Sequence, residues 1–220
     1  MKTIIKIGIG IAAWSFIGAV TVPVLVTSCA TSPKQIVQKA TDDGLLLGDD
    51  LIAVKTSDGK VSIKNTVTGK ITIKDIKLDW TTASPNDSLS VYCTEGKRGY
   101  YNAYTGEVAI EAQFRRAWVF SEGLAAVQKN GMVGFIDHKG NTVIPFRYPY
   151  HGNPLSSFMF KNGHCVAADT TGKCGVINKT GEWVIKPLYD DISAYEEYAI
   201  VSKAGVRLQV DYDGKVINSF

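Results

Sequence analysis

The fold is decided by residues 122–145, which have the sequence EGLAAVQKNGMVGFIDHKGNTVIP. Between the glycines, β-branched and aromatic side chains alternate with smaller or polar ones, as is typical of strands. Asp137 stands three residues before Gly140. In such a turn the Asp side chain bonds its own backbone and the glycine supplies a positive φ. The stretch therefore predicts three short strands joined by two tight turns.

The same pattern recurs along the chain. A second clear copy covers residues 163–187, a third covers residues 97–110, and weaker copies flank them. The second turn glycine of each unit lies at position 69, 106, 140, 181 or 214, at intervals of 37, 34, 41 and 33 residues. Four residues after these glycines stand Ile73, Ile110, Ile144, Ile185 and Asn218. A column with isoleucine in four of five units is expected to face a shared core, and the last unit is expected to act as a cap.

Three segments of this unit carry a resemblance to a known family. FSEGLAAV at residues 120–127, GMVGFID at residues 131–137 and the segment 140–145 together resemble the bacterial WG repeat family. The resemblance covers nearly all of residues 45–220. It implies β-strand repeat modules of secreted and surface proteins that bind proteins or ligands and have no defined catalytic site. The family's tryptophan is replaced by Arg98, Val133 and Cys174, so a role that depends on that tryptophan does not carry over.

The predicted fold class is all-β. Residues 45–220 are expected to form about five tandem three-stranded antiparallel β-meander repeats. They are arranged either as an open twisted array or as a closed five-bladed propeller-like ring. The open array is favoured, because four-stranded propeller blades usually need a period of about 40 residues or more.

Residues 1–28 are predicted to be a lipoprotein signal peptide. Lys2 and Lys6 precede an almost wholly apolar run, as in secretory signals. The sequence Val26-Thr27-Ser28-Cys29 resembles a lipobox, which implies a lipid-modified Cys29 followed by an anchor and polar tether over residues 29–44. An uncleaved signal anchor is the alternative, because roughly 20 apolar residues can span a bilayer. Both interpretations place the repeats outside the cytoplasm, at the periplasmic face or the cell surface of a bacterial membrane.

Charge and motifs exclude several classes of function. The 220 residues carry 24 basic and 21 acidic side chains, a net charge of +3, and removal of Lys2 and Lys6 leaves about 22 − 21 = +1. No basic stripe for nucleic acid is present, so no nucleic-acid partner is expected. The common nucleophile, phosphate-loop and zinc-protease motifs are absent from the sequence, and we expect no catalytic residues and no cofactor.

No metal site is expected either. One carboxylate per turn is too few for Ca²⁺, which takes about six to eight oxygen ligands. A transition metal would need convergent ligands, whereas His138, His151 and His164 are interpreted as solvent-exposed polar residues. Cys165 and Cys174 are interpreted as two small buried hydrophobes, and together with Cys93 they make an odd number that leaves one thiol free. A disulfide between Cys165 and Cys174, on neighbouring predicted strands, stays open.

The longest interval contains a candidate ligand-binding loop at residues 148–157. Its side chains Tyr148, Tyr150, His151 and Asn153 are of types that stack on sugars or anchor a partner peptide. The alternative is a loop that packs its aromatic residues on the neighbouring unit. Trp80, Trp118 and Trp183 lie near unit ends, and Trp183 is expected to pack at a strand edge.

The predicted function is a lipid-anchored extracytoplasmic β-repeat scaffold that binds a protein or glycan of the bacterial cell envelope. A hydrolase of envelope polysaccharide is one alternative, because two carboxylates can act as acid and base. Its candidate residues are Glu111, Glu122, Asp190, Asp191, Glu196 and Glu197. A purely structural envelope spacer is the other alternative.

Overall fold

The computed structural model describes residues 40–41, 44–56, 58, 60–77, 87–150 and 158–220, which form five small antiparallel sheets. Sheet 1 contains β1 (Ala40–Thr41), β2 (Gly44–Leu46), β3 (Leu51–Lys55), β4 (Val61–Asn65) and β5 (Ile71–Ile76). Sheet 2 contains β6 (Leu89–Thr94), β7 (Lys97–Asn102) and β8 (Val108–Phe114). Sheet 3 contains β9 (Arg116–Ala117), β10 (Ala125–Lys129), β11 (Met132–Ile136) and β12 (Thr142–Pro149). Sheet 4 contains β13 (Cys165–Ala168), β14 (Cys174–Ile177) and β15 (Trp183–Tyr189). Sheet 5 contains β16 (Asp191–Ala194), β17 (Tyr198–Lys203), β18 (Val206–Asp211) and β19 (Val216–Ser219).

Each sheet is a meander in which consecutive strands pair. The three strands of the sequence repeat form the common part of every sheet, and short additional strands extend sheets 1, 3 and 5. The all-β fold and the tandem antiparallel repeats predicted from the sequence are therefore confirmed.

Four apolar cores lie between consecutive sheets, and the interior sheets bury both faces. Tyr100 and Tyr101 are neighbours on β7 and point to opposite faces, because side chains alternate across a strand. Tyr101 packs with Leu51 and Ile63 of sheet 1, whereas Tyr100 packs with Val127 of sheet 3. Among the described residues, no apolar core joins sheet 1 to sheet 5. The described cores thus join the sheets pairwise in chain order, from sheet 1 to sheet 5.

The glycines that precede each second turn are required by a close backbone approach. A Cβ atom on Gly134 would lie 2.8 Å from the carbonyl oxygen of Ile144, and one on Gly175 would lie 2.5 Å from that of Ile185. The third strand bulges at this point. Val133 of β11 pairs with Tyr148 of β12 and Phe135 pairs with Ile144, so a step of two residues on β11 is opposed by a step of four on β12. Only glycine leaves room for this bulge.

The second turn glycines interlock neighbouring units. Gly140 lies against Ile110 of the preceding sheet, and Gly181 lies against Ile144, where a Cβ atom would be 2.6 Å from Cγ2. Ile110 and Ile144 of the column are thus buried beneath the next unit's turn, whereas an added Cβ at Gly214 would have no atom within 4 Å. In sheet 5 the residue of this column, Asn218, is exposed together with the rest of β19.

The turns have the predicted chemistry. The Asp137 carboxylate accepts hydrogen bonds from the backbone N–H groups of Lys139 and Asn141 at 2.9 and 2.8 Å, and Gly140 has a φ of 82°. The Asn178 side chain accepts equivalent bonds in the corresponding turn of sheet 4. The Asx-turn prediction is therefore confirmed.

The predicted signal peptide over residues 1–28 and the lipidation site Cys29 lie outside the described residues. In the part of the chain that the structure describes, no helix has the length and hydropathy needed to span a membrane.

Candidate functional site

The predicted binding loop begins later than the sequence suggested. Tyr148 belongs to strand β12 and is 2% exposed, so it is a core residue and not a loop side chain open to a ligand. Its hydroxyl donates a hydrogen bond to the carbonyl oxygen of Gly181 at 2.5 Å, and burial raises its pKa. The bulge opposite Gly134 explains this placement, because it lengthens β12 beyond the predicted strand.

Tyr150 is half-buried in an aromatic cluster at the end of sheet 3. Its ring centroid lies 5.9 Å from that of Trp118 and 6.4 Å from that of Phe158, and the guanidinium carbon of Arg116 lies 4.5 Å from it. His151 and Asn153 lie outside the described residues. For Tyr148 and Tyr150, the structure thus agrees with the alternative that the aromatic residues pack on neighbouring elements.

A concave site lies elsewhere, between sheets 3 and 4. This groove has a volume of about 440 Å³, within the usual range for ligand sites of about 300–1,000 Å³. It is lined by Arg147, Tyr148, Ala168, Asp169, Thr170, Gly181, Glu182 and Trp183. We call it the inter-sheet groove.

Trp183 forms the aromatic surface of the groove, and the buried ring of Tyr148 packs against it. The Trp183 ring lies against Gly175, where a Cβ atom would be 2.7 Å from two ring carbons. Its ring meets that of Tyr148 edge to face, with centroids 5.6 Å apart and planes at 90°. The predicted packing role of Trp183 is thus confirmed, and the half-buried indole also contributes surface to the groove.

Arg147 projects from the bulge of β12. Its guanidinium donates a hydrogen bond to the carbonyl oxygen of Gly181 through Nη2, and its Nε donates to the Tyr148 hydroxyl at 3.2 Å. A bulge re-aims the side chains that it carries, and here it directs an exposed arginine to the Gly181 turn. The charge is thereby held against sheet 4.

Two carboxylates lie on the sheet 4 side of the groove. Glu182 accepts hydrogen bonds from Asn178 and Thr180 at 3.2 and 2.9 Å, and these bonds, aided by the charge of Arg147, lower its pKa. The Thr171 hydroxyl is the largest cause that lowers the pKa of Asp169. Both groups are therefore carboxylates at neutral pH.

Arg147 and Glu182 interact electrostatically without a direct bond. The arginine charge contributes to the lowered pKa of Glu182. In the described part of the chain, however, no ion pair within 4 Å joins the two side chains. The groove thus presents a donor and an acceptor that are near each other and separately held.

The other predicted polar residues are dispersed. His138 is exposed, as predicted, with Nε2 2.6 Å from Asp87 and its ring stacked on Phe120 at 4.2 Å. The prediction that His164 is exposed is wrong. The residue is half-buried, because its ring stacks on that of Tyr212 with the centroids 3.7 Å apart. No group of three or more potential metal ligands occurs among the described residues.

The cysteines of the described residues, Cys93, Cys165 and Cys174, are buried and free. Cys165 and Cys174 lie on the paired strands β13 and β14, as predicted, but they face different cores, because Cys165 packs between sheets 3 and 4 and Cys174 between sheets 4 and 5. They cannot be bonded across the sheet in this arrangement. Burial raises the pKa of both thiols.

Two of the carboxylates considered for hydrolysis join neighbouring turns. Glu122 accepts from the backbone N–H of Gly163 at 2.9 Å and lies 3.3 Å from the ammonium of Lys179. Asp190 pairs with Lys173 and accepts from the backbone N–H of Ala204 at 2.8 Å. These contacts hold turns of adjacent sheets together.

The family model of the WG containing repeat matches residues 99–132, 134–164 and 175–206. Three segments of the chain thus match the WG repeat. Each match begins at the glycine that faces the bulge of the third strand. In sheet 4 this glycine is Gly175, which the Trp183 ring of the groove covers. The matched segments therefore include a glycine that shapes the groove. No curated protein matches the chain.

Several solved structures are similar to the chain at low identity. BamB from Moraxella catarrhalis is 13% identical with a TM-score of 0.43, over 82% of this chain and 62% of that one. Hsv2 from Kluyveromyces lactis is 12% identical with a TM-score of 0.45, over 79% and 61%. The computationally designed Ika8 protein is 12% identical with a TM-score of 0.44, over 85% and 63%. The chain thus spans less than two thirds of each of these structures.

Sequence reasoning missed the groove's polar residues. The turn pattern marks Gly181 and Asp169, which stands three residues before Gly172, and Trp183 is expected to pack, but Arg147, Thr170 and Glu182 carry no motif. The inter-sheet groove arises from stacking two units, and no spacing within one unit marks it.

Proposed function

We propose that the protein is a lipid-anchored, extracytoplasmic binding module that presents the inter-sheet groove to a protein or glycan of the bacterial cell envelope. Two features support this proposal. The β-repeat fold suggests a binding or scaffold module, and Cys29 ends an apolar run in a lipobox-like sequence.

The observation that carries the proposal is the groove. A concave surface with aromatic walls and a few fixed polar groups is the usual form of a ligand site. The half-buried Trp183 supplies the aromatic surface, with the buried Tyr148 ring packed against it, and Arg147 and Glu182 supply opposite charges. The hydrolase alternative gains no support from Glu122 and Asp190, because hydrogen bonds to neighbouring turns occupy both.

The binding part is tested by affinity capture from solubilised cell envelope with the immobilised full-length chain, followed by mass spectrometry of proteins and glycans. The variant Arg147→Ala should lose the saturable ligand that the wild type retains. Arg115→Ala is the matched control, because Arg115 is also exposed but lies outside the groove. Equal capture by all three proteins would place binding elsewhere.

The anchor is tested separately. Cys29→Ala should move the protein from the membrane fraction to the soluble fraction, since a covalent lipid anchor requires the thiol. Ser28→Ala is a suitable control because it keeps a small residue before the cysteine. Unchanged membrane association of Cys29→Ala would contradict the lipid anchor.

A further inference from the structure

We infer that the inter-sheet groove binds a neutral sugar ring of an oligosaccharide. The inference rests on the proposed binding function and names the chemical class of its ligand. It follows from the combination of an indole surface with two opposite charges that do not bond to each other.

The charges of the groove disfavour an ionic ligand. An anion would pair with Arg147 but would be repelled by Glu182 and Asp169, whose pKa values are lowered. A cation would meet the opposite problem at Arg147. A neutral ligand avoids both costs, since like charges brought close together are unfavourable.

The arrangement of donor and acceptor fits hydroxyl groups. Arg147 offers N–H donors and has no acceptor, whereas the Glu182 carboxylate offers only acceptors. A hydroxyl both donates and accepts. Neighbouring hydroxyls of one sugar ring can therefore accept from Arg147 and donate to Glu182, joining two side chains that are not joined directly.

The indole provides the second requirement of a sugar site. Trp183 is held against the bare Cα of Gly175 and by the ring of Tyr148, so it needs little ordering on binding. Large aromatic rings that are already fixed give contact area at a low entropic cost. The C–H face of a sugar ring is the apolar surface that matches such a ring.

The experiment is a titration of the full-length chain with neutral oligosaccharides of glucose and of N-acetylglucosamine, followed by tryptophan fluorescence. Saturable binding is expected for at least one series. Glu182→Gln and Arg147→Ala should each weaken it about tenfold, the effect of one lost hydrogen bond to a charged group. Glu107→Gln is the matched control, because Glu107 also follows a turn glycine, Gly106, but lies outside the groove. It should change affinity by less than about twofold.

Three outcomes would overturn the inference. One is the absence of saturable binding by either series, and another is equal weakening by Glu107→Gln and Glu182→Gln. The third is tighter binding of an acidic oligosaccharide than of its neutral counterpart. Capture of an envelope protein that depends on Arg147, with no sugar binding, would refute the sugar ligand and leave the proposed binding function standing.

Discussion

Replacement of Gly181 by alanine tests whether the turn glycines lock successive units together. Gly181 has a φ of 81°, and an added Cβ would lie 2.6 Å from Cγ2 of Ile144 and 2.7 Å from Nη2 of Arg147. Gly172→Ala is the matched control, because Gly172 lies in the other turn that flanks β14 with a φ of 85° and has no atom within 4 Å of the added Cβ.

The expected losses of stability separate the cost of the backbone conformation from the cost of overpacking against Ile144. Both variants incur the cost of a left-handed backbone, about 1–2 kcal/mol for an L-residue. Only Gly181→Ala forces sheet 4 away from Ile144, and overpacking of this kind costs about 1–3 kcal/mol more. The free energy of unfolding should thus fall by about 1–2 kcal/mol in the control and by about 2–5 kcal/mol in Gly181→Ala.

The assay is urea denaturation followed by tryptophan fluorescence, with the full-length chain and both variants under one condition. The m-values should be unchanged, so that a shift of the midpoint reports stability. Equal free energies for the two variants, within about 0.5 kcal/mol, would refute the reasoning. The cost would then come from the backbone conformation alone, and Ile144 would not support the turn.

Three further perturbations follow from the same contacts. Gly134→Ala should destabilise the protein by at least about 2 kcal/mol in urea denaturation, because its Cβ would meet the carbonyl oxygen of Ile144 at 2.8 Å; a cost near zero would contradict the bulge. Cys165→Ser should lower the free energy of unfolding by about 1–3 kcal/mol, because it buries a hydroxyl. A reductant should leave the Tm of the wild type unchanged, because the thiol is free, and a fall in Tm would indicate a disulfide. Hydrogen bonding to Lys173 is the main cause of the lowered pKa of Asp190. The stability that the Asp190 carboxylate contributes is therefore complete above its unfolded-state pKa and is lost as the pH falls through its lower folded-state pKa. The urea midpoint of Asp190→Asn should therefore vary less than that of the wild type between about pH 5 and about pH 2, and parallel curves would exclude this contribution.

The repeat could be predicted from sequence because its causes are local. An Asx residue three positions before a glycine specifies a turn within a few residues, as at Asp137 and Gly140. The isoleucine column predicted a shared core, and Ile144 is buried as expected. The number of strands per sheet was less predictable, since short strands such as β9 and β16 have no turn signal of their own and depend on pairing with the next unit.

The error at Tyr148 has the same origin as the missed groove. A regular strand would end before Tyr148, but the bulge opposite Gly134 lengthens β12 and turns Arg147 towards sheet 4. Bulges depend on how closely two strands approach, and sequence shows only the glycine that permits it. Tyr148 was therefore assigned to a loop, although its ring is part of the core.

The repeat places different side chains at the same columns in successive interfaces. Phe114 and Tyr148 occupy the same column, four residues after Ile110 and Ile144. Between sheets 2 and 3, Lys129 lies 5.0 and 5.7 Å from the ring centroids of Phe114 and Phe146 and donates to Gln113 at 2.8 Å.

In the next interface, Arg147 replaces Gln113 as the residue before the aromatic column. Its guanidinium binds the Gly181 carbonyl of the following sheet instead of a side chain across the gap. The aromatic ring that covers the glycine of the second strand also changes position. In sheet 3 it is Phe146, two residues after the column residue Ile144, whereas in sheet 4 it is Trp183, two residues before Ile185. The same backbone thus carries a Lys129–Gln113 bridge between one pair of sheets and a groove lined by Arg147 and Trp183 between the next, because the residues at two columns differ.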